Sequence, residues 1–164
     1  MNHNRLRITI DKAVRSILVV LMSVIVLDVL LQVVSRYLFQ SPLGFTDELA
    51  AYLLIWVGLL GAAYATGARQ HLAIDLISHK FNTNQQKYLE VIISVCIAAF
   101  TISVLVVGGS RLVYTSFLFG QISAAMELPL GYVYLVAPLS GILIVYYVID
   151  NTIIFLKTLD QLTQ

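Results

Sequence analysis

The sequence predicts an all-α integral membrane protein with four transmembrane helices and additional interfacial helices. Three observations carry that prediction. First, apolar stretches occupy residues 16–35, 49–68, 89–109 and 130–149, each near the ~20 residues a helix needs to cross a ~30 Å hydrocarbon layer. Second, only 12% of residues are charged and 59% are hydrophobic, against roughly 25% charged in a soluble domain. A soluble fold of this size leaves too much surface exposed to hide such a composition. Third, the basic residues are distributed unevenly. Arg5, Arg7, Lys12 and Arg15 precede the first span; Arg69, Lys80 and Lys87 lie between spans two and three; Lys157 follows span four. Arg36 and Arg111 remain for the opposite side. The positive-inside bias then places both termini in the cytoplasm, and an even number of spans agrees in putting them on one side. Residues 1–164 are read as a single membrane domain.

Residues 2–15 are basic with interspersed Leu6, Ile8, Ile10 and Val14, a pattern that suits a short interfacial helix leading into span one. The apolar run that follows is too long for a signal peptide and ends in no clean cleavage site, so it reads as a retained span. Asp28 is the one acid well inside a span. A carboxylate in hydrocarbon is costly, so it should face protein or water, or hold a proton. Gln32 and Ser35 continue its face as a polar stripe toward a packing partner.

Arg36 and Tyr37 suit the headgroup zone. Pro42 and Gly44 indicate a turn, Thr46 or Asp47 caps the second helix, and Glu48 falls in its first turn. Within span two, Ala51, Gly58, Ala62 and Ala65 recur at helical spacing, and Gly61 widens the same thin side. Small residues allow the close approach that holds helices together in lipid. The following segment, 69–87, mixes apolar and polar residues and can form an interfacial helix. Span three stays apolar beyond Gly108 and Gly109 as far as Phe119. Either one long tilted helix or a break at the glycine pair followed by an interfacial helix satisfies that pattern. Pro138 is expected to kink span four.

Chemistry is sparse. His3, His71 and His79 all lie outside the spans, which disfavours a di-haem bundle. His71, Asp75 and His79 share one face if their segment is helical, an arrangement from which a metal site can be built, although an interfacial polar face is the plainer reading. Cys96, the only cysteine, reads as a small buried hydrophobe, and its solitude excludes a vicinal-dithiol oxidoreductase. No nucleophile–base pair, phosphate-binding loop or nucleic-acid motif is present. The chain is therefore not expected to be an enzyme or to carry a cofactor or metal. Two functional readings remain: a helical subunit bound to a larger integral partner among membrane lipids, and a small autonomous transporter that couples to an ion through Asp28.

The stretches Leu31-Gln-Val-Val-Ser-Arg-Tyr-Leu-Phe39, Asp47-Glu-Leu-Ala50 and Trp56-Val-Gly-Leu-Leu-Gly-Ala-Ala63 recur in order with His71, Ile74 and Asp75. Leu128-Pro-Leu-Gly-Tyr-Val-Tyr134 and Pro138 follow. This pattern resembles the small membrane subunit, the DctQ-like family, of the tripartite ATP-independent periplasmic transporters. The resemblance implies a scaffold that braces a large membrane subunit, with a periplasmic binding protein delivering small organic acid anions and sodium as the coupling ion. It implies structural roles for Arg36, Asp47 and Glu48 at the corner between helices one and two, and packing roles for Trp56, Gly58 and Gly61. Asp28 departs from the family, which often carries an amide-type residue there. The implied location is the bacterial inner membrane.

Overall fold

The computed structural model describes residues 2–38, 44–68 and 83–162. These residues are almost wholly helical, and no strand occurs among them. Helix α1 covers Asn2–Leu38 and α2 covers Gly44–Gly67. Helix α3 covers Thr83–Thr101, passes through a π-helical segment at Ile102–Gly108, and continues as α4, Gly109–Leu118. A short helix α5, Leu130–Tyr134, leads into α6, Val136–Leu162. Four helical stretches among the described residues are long and apolar enough to cross a membrane: Arg7–Tyr37, Gly44–Gly67, Tyr88–Leu118 and Leu130–Lys157.

Residues 2–15 do not form a separate interfacial helix. They are the first turns of α1, because nothing in this run breaks helical geometry: it lacks glycine and proline. Tyr88–Leu118 resolves the ambiguity in span three in favour of one continuous helical stretch. Its 31 residues rise about 46 Å, so it either tilts or projects beyond the hydrocarbon layer. The glycine pair does not break it, and a π turn takes up the irregularity instead. The candidate interfacial segment and metal face around His71, Asp75 and His79 lie outside the described residues, as does Pro42.

The helices form an open row in which α2 packs between α1 and α6, and α6 packs between α2 and α3. The central core joins Ala63 of α2 to Ile144 and Val148 of α6, with Ile97 and Ala98 of α3, Leu105 and Leu143 packed around them. Helices α1 and α3 lie at the edges, so most of their apolar side chains face outward. Cys96 is exposed for that reason, contrary to the buried position its type suggests. It occupies the open side of an edge helix.

Pro138 acts as expected. It has no N–H to donate to Tyr134 and its ring crowds that carbonyl, and helical geometry is interrupted at Leu135, between α5 and α6. The π segment of span three lies against this interruption. A Cβ on Gly109 would come within 3.0 Å of Ala137 Cβ and 3.1 Å of Pro138 Cδ, and one on Gly141 within 2.9 Å of Leu105 Cβ. Absence of side chains at these two positions lets the two irregular helices approach closely.

Candidate functional site

Two polar clasps hold opposite ends of the row. At the end formed by the start of α1, the close of α2 and the lower part of α6, the last carbonyls of α2 have no partner within their own helix. Arg7 Nη2 donates to Gly67 O at 2.8 Å, and Asn151 Nδ2 donates to Thr66 O at 2.8 Å. A cation at this terminus also complements the helix dipole. The other terminal guanidinium nitrogen, Nη1, donates to Asp150, and Nη2 also donates to Asn151 Oδ1 at 2.8 Å. Asp150 is only 2% exposed. Beside this group Tyr147 OH donates to Asp11 Oδ1 at 2.6 Å. The fully buried Tyr147 ring lies directly over Gly67, where a Cβ would meet it at 2.7 Å.

At the other end, the segment between α4 and α5 is built from its backbone. Gly120, at φ +56°, closes α4: its N–H donates to Phe117 O at 3.2 Å, and Gln121 N–H donates to Ser116 O at 3.0 Å. This is the paired bonding of a left-handed glycine cap. Ser123 N–H donates to Leu128 O at 2.9 Å and Leu130 N–H to Gln121 O at 2.9 Å, with Glu127 between them at φ +53°. Glu48 of α2 locks this segment in place. One of its oxygens, Oε2, accepts from the Ser123 hydroxyl, from Ala125 N–H at 3.1 Å and from Met126 N–H at 3.3 Å.

The residues singled out in the sequence divide among these features. Asp47 accepts from Gln32 Nε2, joining α1 to α2. Asp28 and Ser35 are buried on the same side of α1, with Asp28 5% exposed. Arg36 is exposed, and no ion pair joins it to Asp47 or Glu48 among the described residues; the Glu48 carboxylate serves the Ser123 segment and that of Asp47 serves Gln32. Trp56 and Ala65 are half-buried. Three residues of the thin side of α2, Ala51, Gly58 and Ala62, face away from its neighbours. Thr46, Leu60, Ala63, Thr66 and Gly67 are its buried residues, whereas Ala51, Gly58 and Ala62 are exposed. No heavy atom lies within 4 Å of a Cβ placed on Gly58 or Gly61. The close-approach surface of α2 is open in the isolated chain.

Arg7, Asp11, Tyr147, Asn151 and Ser123 were not singled out. Their partners lie up to 144 positions away, and helical periodicity reports only one helix at a time. The usable signal was coincidence at one membrane face: Arg7 before span one and Asp150-Asn151 after span four share that face if both termini lie on one side.

These features define a polytopic helical membrane protein, tied together at both ends, with a small-residue helix face left uncovered. The family profile of the tripartite ATP-independent periplasmic transporters, DctQ component, matches residues 13–158, and the chain belongs to that family. A putative TRAP transporter small permease protein from Haemophilus influenzae is 30% identical over 137 residues, covering 82% of each chain. The sialic acid TRAP transporter permease protein SiaT from another strain of that organism is 33% identical over 73 residues. That match covers 42% of this chain and 12% of the relative. The chain is thus a small TRAP transporter permease subunit, with a role in transport.

Proposed function

We propose that this subunit braces a large membrane subunit by packing the open face of α2 against it, and that the assembly imports a small organic acid anion coupled to sodium. A periplasmic binding protein supplies the anion, and the substrate and sodium sites reside in the larger partner. The observation that carries the reading is the uncovered Ala51, Gly58 and Ala62 surface on the face opposite the chain's own packing. Small residues favour helix association in lipid by letting backbones approach. The similarity of part of this chain to a segment of a much longer permease supports a stable association between two such units. The polar clasps keep the face rigid, and Gln32, Asp47 and Glu48 act within that frame rather than on substrate.

Gly58→Leu tests the face directly. The variant should unfold like the unsubstituted chain, since nothing surrounds the new side chain. It should recover about tenfold less large subunit on copurification, equivalent to about 1.4 kcal/mol of lost association. Equal recovery would remove α2 from the interface.

We place the complex in the bacterial inner membrane with both termini cytoplasmic, on the distribution of Lys and Arg. In a Cys96→Ala background, an impermeant thiol reagent applied to the periplasmic side should label Ala124→Cys and spare Gln85→Cys. The reverse pattern would invert the topology.

A further inference from the structure

Asp28 belongs to neither clasp. It lies in span one, nine residues and about 14 Å along the helix from Tyr37, where the apolar helix ends. The residue is 5% exposed, and its Oδ2 has no hydrogen-bond partner. Gln32 is one turn away on the same face of α1, and its amide donates to Asp47 on α2. Asp47 is exposed. A polar track therefore runs from the exposed end of the α1–α2 seam to a covered carboxyl group inside the span.

An ionised carboxylate with no donor is poorly solvated in hydrocarbon. Three ligands can relieve it: a partner's side chain, a metal cation or a proton. Coverage of Asp28 by its own chain leaves little room for a long side chain from outside. A sodium or divalent ion needs several oxygens at once, and no group of three or more His, Cys, Asp or Glu that could hold a metal occurs among the described residues. A proton needs one oxygen. The charged groups around this seam come from the two helices that form it: Asp47, whose charge reaches Asp28; Glu48, turned toward the Ser123 segment; and Arg36, exposed two turns further along α1.

We propose that Asp28 is a proton-binding site within the membrane, loaded from the Asp47 end of the α1–α2 seam. The carboxylate takes one proton from water and becomes a neutral carboxyl, and no other bond changes. The inference rests on this chain's geometry and not on the identity of the transported anion.

The test is infrared spectroscopy of the full chain in lipid nanodiscs, with aspartate labelled at its carboxyl carbon, as pH is raised. A protonated carboxyl stretch should persist at neutral pH and vanish at higher pH. Asp28→Asn should abolish it, and Asp28→Glu should move it out of the labelled-aspartate position, so the assignment survives if one variant folds poorly. Replacing choline by sodium at fixed pH and ionic strength should leave it unchanged. Absence of an Asp28-dependent band at neutral pH would overturn the proposal. Loss of the band on adding sodium would also overturn it and assign the site to a metal cation.

Discussion

Arg7→Ala is expected to destabilise the isolated chain by about 3 kcal/mol, the lower end of the range for removing one partner of a buried ion pair. The carboxylate left behind, Asp150, is 2% exposed, and the carbonyl of Gly67 loses the donor Arg7 supplies. Arg7→Lys should fall between the two. It keeps a positive charge but cannot present the planar fork that serves Asp150, Asn151 and Gly67 together. Adding Asp150→Asn to Arg7→Ala should recover part of the loss by removing a buried charge that Arg7 no longer balances. Thermal unfolding in a defined detergent measures all three. An unchanged midpoint for Arg7→Ala would mean the clasp contributes nothing to the fold.

Gly67→Ala is expected to have the next largest effect, a loss of about 1–3 kcal/mol from overpacking. Its methyl group would sit 2.7 Å from a Tyr147 ring that is fully buried and tied to Asp11. That ring cannot yield without breaking its own hydrogen bond. Gly131→Ala makes a useful contrast. Its Cβ would be still closer, 2.5 Å, to Phe117, but Phe117 is 45% exposed and has space to rotate away. Unfolding of the two variants should therefore rank by the mobility of the neighbour and not by the distance. A larger loss for Gly131→Ala would contradict that account.

The contrast between the two clasps and the four spans shows what a single sequence makes visible. Spans announce themselves through uninterrupted apolar composition, and Pro138 announces its kink through missing chemistry at a known position. The π turn at Ile102–Gly108 carries no such mark, because Ile, Val and Leu there are equally at home in an α-helix. Glu48 was visible as a first-turn acid, but its partners are backbone amides of Ala125 and Met126, whose position depends on how residues 119–129 fold. Asp47 and Glu48 were legible as acids at the corner of helices one and two, but the donors they accept from, Gln32 and Ser123, were not. The small residues of α2 were legible as a thin side of that helix. Only the arrangement of the other helices reveals that this chain leaves Gly58 and Ala62 uncovered.

The central claim is that this chain contributes to transport as a bracing subunit and has no transport pathway of its own. The most direct measurement is uptake of organic acid anions into proteoliposomes under an inward sodium gradient, with the matching binding protein outside. Vesicles holding this chain alone should show no uptake above empty vesicles, and vesicles holding it together with its large membrane subunit should accumulate the anion. Sodium-driven uptake by this chain alone would contradict the account.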